Sequence, residues 1–262
     1  MCLYFHVFGA AIPSYGCMIF LGLFLANVIA VWRFKKEKLN TDNMVLAEAY
    51  GFFGGVLGAK LLYLLVSYKD IEWNRITEPD YLNYLLGGGF VFYGGMIGGL
   101  LFVILSGKIH KFDVWEIVCK LAFLIPFAHA FGRIGCFLAG CCYGRPYSGP
   151  GAVVFPDDGF APSGVSLFPI QLLEAGLLFV LFVILFAFTL KGYEKICPEI
   201  YIFAYGLIRF CLEFVRYDAE RGSFGPLSTS QWISVVMVSG VVFEVLFRRK
   251  RVKRKTNADD VG

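Results

Sequence analysis

Apolar residues in this chain form long runs that are separated by shorter polar connections. A helix needs about 20 mostly apolar residues to cross the hydrocarbon core of a bilayer. Seven runs come close to or exceed that length: 13–32, 44–67, 88–106, 114–135, 169–190, 199–217 and 230–247. The second and third carry glycines at small-xxx-small spacing, which predicts close helix packing. The pattern predicts an all-α integral membrane protein with seven transmembrane helices in a domain over residues 1–247.

The composition excludes the common alternatives to a membrane protein. Of the 262 residues, 58% are hydrophobic and 17% are charged, which is too apolar for an ordinary soluble domain. The same figures exclude a disordered chain and a small secreted disulfide scaffold. Alternating short segments typical of a membrane β-barrel are not evident. Residues 1–14 contain no Lys or Arg, so we expect insertion to depend on the first span rather than on a cleavable signal.

Lysine and arginine are distributed unequally between alternate connections. The segments after spans one, three, five and seven contain four, two, two and seven of them. The other connections contain only Lys69, Arg75, Arg145 and Arg221. Because positive residues accumulate on the cytoplasmic side, we predict an N-terminus outside and a C-terminus in the cytoplasm. The basic tail over 248–262 is then expected to contact anionic lipids and not nucleic acid.

Two of the predicted extracytoplasmic connections are long. Residues 68–87 contain Trp73, Tyr81 and Tyr84, and they fit an amphipathic segment at the membrane interface. Residues 136–168 are rich in Gly, Pro and Cys, and they predict a substantial loop. Functional polar groups are therefore expected near the outer face.

Ionisable residues inside the predicted spans are costly in a bilayer and indicate function. Arg133 lies between two glycines near the outer end of the fourth span, where a lipid headgroup could approach closely. Arg209, Glu213 and Arg216 have a spacing that predicts one helical face. Either Arg209 and Glu213 form a salt bridge, or the arginines line an anion site. Because guanidinium groups bind phosphate through paired hydrogen bonds, these arginines indicate recognition of a phospholipid headgroup.

Three of the eight cysteines, Cys136, Cys141 and Cys142, follow Arg133 closely. A structural disulfide with one further thiol is the first interpretation, because disulfides persist outside the cytoplasm. The second is a thiol made reactive by Arg133. A zinc site is the third, because this spacing is not a strong zinc pattern, and we expect no metal or other cofactor. His129, one turn before Arg133, is either a core histidine or an acid–base group.

Motifs in consistent order along nearly the whole chain resemble those of the prolipoprotein diacylglyceryl transferase family. They lie at 15–16, 88–98, 125–135, 168–174, 209–216 and 230–234. The resemblance implies a multi-pass enzyme of the bacterial cytoplasmic membrane that transfers a diacylglyceryl group from phosphatidylglycerol to the lipobox cysteine of a prolipoprotein. A thioether forms and glycerol 1-phosphate leaves. The implied partners are phosphatidylglycerol, prolipoprotein signal peptides and membrane lipids.

The resemblance also implies roles for particular residues. The catalytic group is expected to comprise Tyr93, Arg133 and Arg209, with both arginines on the phosphate. The substrate-binding residues are expected to be Tyr15, Lys60, Gln171, Glu174, Glu213 and Arg216.

Four positions depart from the family pattern. Tyr93 stands where the family has His, Cys136 where it has Asn, Cys141 where it has Glu, and Lys60 where it has Arg. A phenol ordinarily has a pKa of about 10, so Tyr93 would need activation, which a neighbouring guanidinium could supply. The departures leave two alternatives open. One is a divergent member with an altered acceptor or with chemistry at the three thiols, and the other is a non-catalytic phospholipid-binding protein.

Overall fold

The computed structural model describes residues 3–7, 9–156, 160–217 and 223–259. The described chain is mostly helical. Its helices are α1 (Ser14–Lys36), α2 (Thr41–Val66), α3 (Pro79–Gly87), α4 (Phe92–His110), α5 (Val114–Leu121), α6 (Leu124–Ala139), α7 (Ile170–Leu190), α8 (Cys197–Leu212) and α9 (Thr229–Asp259). Arg221, which contributes to the predicted charge asymmetry, lies outside the described residues, as do 157–159 of the predicted loop and 260–262 of the tail.

The strands within these ranges form three antiparallel hairpins. They pair β1 (Tyr4–Val7) with β2 (Ala10–Pro13), β3 (Val153–Val154) with β4 (Ser166–Leu167), and β5 (Ser223–Phe224) with β6 (Leu227–Ser228). All are short and lie outside the long helices, so the helices carry the architecture.

Five helical segments of the described chain are long and apolar enough to cross a membrane: α1, α2, α4, α7 and the part of α9 over Thr229–Arg248. The predicted fourth span is broken, because α5 and α6 meet the same test only together and bend by 57° at their junction. Pro126 lies in the first turn of α6, where a missing backbone N–H is tolerated. The structure therefore confirms an all-α class with five membrane-capable helices, or six when the bent pair counts as one span.

The sixth predicted run gives a shorter helix than its apolar pattern indicates. α8 has 16 residues and ends at Leu212. Glu213–Val215 then forms a 3-10 turn, and Arg216 has an extended backbone with φ −76° and ψ 152°. That backbone forms a β-bridge with Gly144, which a helical residue could not do. The predicted placement of Arg216 on one helical face with Arg209 is therefore wrong.

Residues 31–117 form one of two compact units, and α2 and α4 pack together within it. A methyl group added to Gly58 or Gly98 would collide with the backbone of the facing helix. Small residues let two membrane helices approach closely. The close packing that the glycine spacing predicts is therefore confirmed.

The other unit comprises residues 1–30 and 118–262, and α6 packs against α7 within its described part. Ala130 of α6 is buried with Ala175 and Leu178 of α7. Phenylalanine rings pack around this contact: Phe123, Phe127, Phe131, Phe179, Phe182 and Phe186. Because Arg133 follows Ala130 by about one helical turn and Glu174 precedes Ala175, the apolar contact brings these two charged residues to the same level.

The connection between α6 and α7 is a folded loop with its own small core. Phe155, Ala161 and Leu167 are buried together, and Leu167 belongs to the β3–β4 hairpin. α6 continues to Ala139, so the helix includes the first residues of the loop predicted at 136–168. The loop is thereby fixed directly to the end of α6.

Candidate active site

An ion pair between α6 and α7 lies at the centre of the candidate site. Arg133 Nη2 is 2.9 Å from Glu174 Oε1, and the Glu174 side chain is almost fully buried. Tyr205 of α8 donates a hydrogen bond to the same carboxylate oxygen at 3.3 Å. Side chains from three helices therefore meet at Glu174, which compensates the charge of Arg133.

A second arginine with little exposed side-chain surface lies on α8. Arg209 Nη2 is 2.8 Å from Glu213 Oε2, and it donates to Ser230 Oγ of α9 at 3.0 Å. The salt bridge that the sequence spacing offered as one interpretation is therefore present. It does not exclude an anion site, because a guanidinium group has five N–H donors and these contacts use few of them.

Both guanidinium groups keep a buried nitrogen unused. Within the described ranges, Arg133 Nε and Arg209 Nη1 have no hydrogen-bond partner. An unsatisfied buried donor costs about 1–3 kcal/mol, and more when it is charged, so such groups in a native structure require an explanation. Arg133 and Arg209 are linked through neighbouring side chains, because Tyr205, one turn before Arg209 on α8, donates to the carboxylate that pairs with Arg133. An anion with several acceptor oxygens would satisfy them.

Two tyrosines that the sequence analysis missed extend this polar region along α8. The rings of Tyr201 and Tyr205 stack with their centres 5.9 Å apart. His129 Nδ1 lies 3.3 Å from the Tyr201 hydroxyl, and its ring meets Tyr205 edge-on at 4.8 Å. The sequence does contain a signal for both tyrosines. Tyr201, Tyr205 and Arg209 follow one another at intervals of four residues and so share a helical face.

Arg216 is positioned by the loop that follows α6. Its backbone pairs with Gly144. On either side, Arg145 N–H donates to the Val215 carbonyl at 2.9 Å, and Tyr217 N–H donates to the Tyr143 carbonyl at 3.3 Å. The backbone of Arg216 is thus paired with residues 143–145, which directly follow the cluster of Cys136, Cys141 and Cys142.

Gln171 and Tyr15 contact the C-terminal part of α6 and the turn after it. Gln171 Nε2 donates to the backbone carbonyl of Cys141 at 2.8 Å, and its Oε1 has no partner among the residues described. A Cβ at Gly135 would lie 3.1 Å from the Tyr15 ring, so glycine at that position permits the contact. Both predicted substrate-binding residues therefore lie near the end of α6 that follows Arg133, in the unit over 1–30 and 118–262.

The end of α6 brings the three cysteines together. Gly140 has a φ of +70°, its N–H donates to the Phe137 carbonyl at 3.2 Å, and Cys141 N–H donates to the Cys136 carbonyl at 3.1 Å. This pair of bonds is the Schellman motif, in which the first and last residues of the closure make contact. Cys142 follows with a φ of +60°. The three Sγ atoms lie within 4.8 Å of one another, and the structure has all three as thiols.

The two thiols beyond the helix differ in acidity. Hydrogen bonds from Cys136 and Cys141, together with the positive charges of Arg216 and Arg133, hold the pKa of Cys142 below that of an ordinary thiol. Hydrogen bonds with Cys136 and Cys142, together with burial, raise the pKa of Cys141. The three thiols therefore act on one another, and a negative charge is best accommodated at Cys142.

The remaining two predicted site residues, Lys60 and Tyr93, belong to the unit over 31–117. Lys60 donates to the backbone carbonyls of Leu85 and Gly88, the latter at 2.6 Å, at the C-terminal end of α3. Its ammonium group also lies 5.0 Å from the centre of the Phe90 ring. Tyr93 lies in the first turn of α4 and is 43% exposed. Lys60 therefore stabilises the segment before α4, and a role for either residue toward substrate stays a prediction.

Comparison with known proteins gives consistent matches over nearly the full length. The family described as "Prolipoprotein diacylglyceryl transferase" matches residues 3–247. A phosphatidylglycerol–prolipoprotein diacylglyceryl transferase of Clostridium tetani is 39% identical over 255 residues, which cover 94% of this chain and 98% of the relative. A transferase of the same name, numbered 2, from Clostridium perfringens is 35% identical over 252 residues, 96% of each chain. The Pasteurella multocida transferase is 33% identical, over 92% of this chain and 90% of its own.

Proposed function

This chain belongs to the prolipoprotein diacylglyceryl transferase family, and we propose that it transfers a diacylglyceryl group from phosphatidylglycerol to the lipobox cysteine of a prolipoprotein. The products are a thioether-linked lipoprotein precursor and glycerol 1-phosphate. One observation carries the assignment: two largely buried arginines keep buried nitrogens, Arg133 Nε and Arg209 Nη1, that have no hydrogen-bond partner among the described residues. The names of the relatives favour this transfer over the non-catalytic and altered-acceptor alternatives.

The arginines bind the phosphate diester and stabilise the charge that develops when it leaves. During the reaction the acceptor sulfur forms a bond to the terminal glyceryl carbon while the bond between that carbon and the phosphate oxygen breaks. The electron pair of the broken bond stays on the phosphate. Guanidinium donors fixed in a site that excludes water stabilise such charge strongly. The carboxylates Glu174 and Glu213 hold the two guanidinium groups in orientation through their ion pairs.

Tyr93 is the proposed proton-transfer residue, because it stands where the family has His. The acceptor thiol must lose its proton before it attacks, since the thiolate is the nucleophile. Tyr15, Lys60, Gln171 and Arg216 are proposed to contact substrate, with Gln171 Oε1 available as an acceptor. Of these, Tyr15, Gln171 and Arg216 lie in the same unit as Arg133.

We propose seven spans, with the short α8 as the sixth of them and the bent α5–α6 pair as the fourth. The asymmetric distribution of lysine and arginine supports an N-terminus outside, the loop over 136–168 outside, and the tail over 248–262 in the cytoplasm. Residues 1–247 then act as one membrane domain of a bacterial cytoplasmic membrane. Cysteines introduced at Ser163 and Thr256 of a cysteine-free chain should be labelled from opposite sides, and labelling of both from the cytoplasm would contradict the orientation.

Transfer in vesicles tests the proposed function. We expect the purified full chain in phosphatidylglycerol vesicles to add one diacylglyceryl group to a lipobox peptide, measured by mass spectrometry. Matched reactions with phosphatidylcholine vesicles, and with a peptide whose cysteine is replaced by serine, should give no product. Absence of the thioether in every lipid, from folded protein, would contradict the assignment.

A further inference from the structure

The three thiols at the end of α6 converge closely enough for one metal ion to contact all of them. Their Sγ atoms all lie within 4.8 Å of one another. In a three-thiolate zinc site, bonds of about 2.3 Å place the sulfurs about 3.8–4 Å apart. The existing cluster therefore needs only side-chain adjustments of about an ångström to close on one ion.

The backbone around the cluster is already fixed without a metal. The Schellman motif sets Cys141 against Cys136, and Gln171 binds the Cys141 carbonyl. Cys142 has a φ of +60°, which is uncommon for a residue with a side chain and typical of functional sites. The spacing of the three cysteines is not a strong zinc pattern. Spacing alone does not show that the turn at the end of α6 brings positions 136 and 141 together. The structure supplies that missing information.

The surroundings suit a negatively charged thiolate group with one open side. Arg133 precedes Cys136 by about one helical turn, and Arg216 pairs with Gly144 beside the cluster. Their positive charges compensate the net negative charge that three thiolates and one Zn²⁺ carry. Cys136 is buried, whereas Cys141 and Cys142 are partly exposed, so a fourth ligand can approach beside Cys141 and Cys142.

We propose that Cys136, Cys141 and Cys142 bind one zinc ion as thiolates and leave its fourth position for the acceptor thiol. This inference rests on the proposed function for the identity of the acceptor. A zinc site with three protein ligands and an open position is the arrangement of catalytic rather than structural zinc, and a thiol that coordinates a metal ion is deprotonated outright.

The site then supplies an activated nucleophile beside the phosphate-binding arginines. On binding, the lipobox thiol releases the proton that Tyr93 is proposed to transfer, and its sulfur forms the new bond to the glyceryl carbon. The bond between that carbon and the phosphate oxygen breaks with its electron pair on oxygen, and the released proton balances the charge on the leaving phosphate monoester. No oxidant, reductant or further reactant is needed.

Metal content and a cobalt spectrum test the site without reference to activity. The full chain is purified in detergent under reducing conditions, and zinc is measured by elemental analysis. We expect about one zinc per chain, and after replacement by Co²⁺ the absorption bands of tetrahedral thiolate coordination. Cys136→Ser, Cys141→Ser and Cys142→Ser should each lose most of the metal while remaining folded, as judged by thermal unfolding. The matched controls are Cys17→Ser and Cys211→Ser, which lie outside the cluster and should keep it.

The open position is tested by adding a lipobox peptide to the Co²⁺ form. We expect the cobalt bands to shift with the cysteine peptide and not with its serine counterpart. Fully reduced wild-type protein without metal, or protein that contains a disulfide among the three residues, would overturn the inference. Equal metal content in the cluster and control variants would overturn it as well. Transfer activity measured on the same samples separates the two proposals: active protein without metal refutes only the zinc site, and metal-bound protein that never transfers lipid refutes only the function.

Discussion

The two compact units of this protein pack their helices by different means. In the unit over 31–117, α2 and α4 meet through glycines such as Gly58 and Gly98, and contact of backbones is sufficient. In the other unit, α6, α7 and α8 bury Arg133, Glu174 and Arg209 in ion pairs. Charges inside a membrane protein are costly and are retained for function. The contrast therefore indicates that glycine packing serves architecture and that the buried arginines serve chemistry.

The largest expected effect would contradict this comparison, because it assigns a chemical role to Tyr93 in the unit over 31–117, where glycines pack the helices. If its hydroxyl transfers a proton, Tyr93→Phe should lower the turnover by about 10²–10⁴-fold, with little change in thermal stability. The initial rate of transfer to a lipobox peptide measures the effect. Tyr84→Phe, at an exposed site on α3, is the matched control. A wild-type rate for Tyr93→Phe would remove this residue from the reaction and confine the proposed chemistry to the unit that holds Arg133 and Arg209, the arginine-bearing unit.

Replacement of Arg133 or Arg209, the two arginines proposed to bind phosphate (the arginine clamp), should give the next largest effect and would sharpen the comparison. Arg133→Lys and Arg209→Lys keep a positive charge but lose the planar donors that bind phosphate oxygens in pairs. We expect each to lower the transfer rate by about 10²–10³-fold, the scale for removing one preorganised donor to developing charge.

The matched control for the clamp is Arg75→Lys, in an exposed arginine paired with Glu72 and Glu78. Rates are compared at equal amounts of folded protein, so that a loss of expression is not counted as a loss of chemistry. A wild-type rate in either clamp variant would exclude that arginine from phosphate binding.

A moderate effect is expected where glycines hold helices together. Gly58→Ala or Gly98→Ala inserts a methyl group against the backbone of the facing helix, and overpacking of this kind costs roughly 1–3 kcal/mol. We expect a lower unfolding temperature in detergent and an unchanged rate per folded molecule. Gly240→Ala in α9, where nothing in the described part of the chain lies within 4 Å of the added methyl group, should be neutral. Equal stability in all three variants would show that α2 and α4 do not depend on these contacts.

The sequence predicts the long helices of both units well, because an apolar run of bilayer length has few other structures available. It fails where tertiary contacts decide. α8 ends at Leu212 because the segment beyond it pairs with the loop at Gly144, and no periodicity reveals that pairing. The bend between α5 and α6 is likewise hidden inside one apolar run.

The charged residues of the site can be predicted from the sequence, but the side chains that they contact are harder to predict. Arg133, Glu174 and Arg209 stand out because ionisable residues are rare in spans. The contact of Arg209 with Ser230 of α9 depends on how two helices meet, which a single sequence does not encode locally. The cysteine cluster lies between these cases, since its residues are evident but their convergence follows from one left-handed glycine at the end of α6.

The smallest expected effect comes from Tyr205→Phe, the same substitution as in Tyr93 but made in the arginine-bearing unit. The Tyr205 hydroxyl donates to Glu174 at 3.3 Å, a long hydrogen bond, and Glu174 keeps its ion pair with Arg133 when that hydroxyl is removed. The net loss should be about 0.5–1.5 kcal/mol, or at most about tenfold in rate. Tyr193→Phe, at an exposed tyrosine after α7, controls for the substitution itself. Because the hydroxyl only orients an ion pair, we expect a modest rise in KM with kcat nearly retained. A fall in kcat as large as that of Arg133→Lys would instead place the Tyr205 phenol on the reacting groups, and the arginine-bearing unit would then supply the proton transfer as well as the phosphate site.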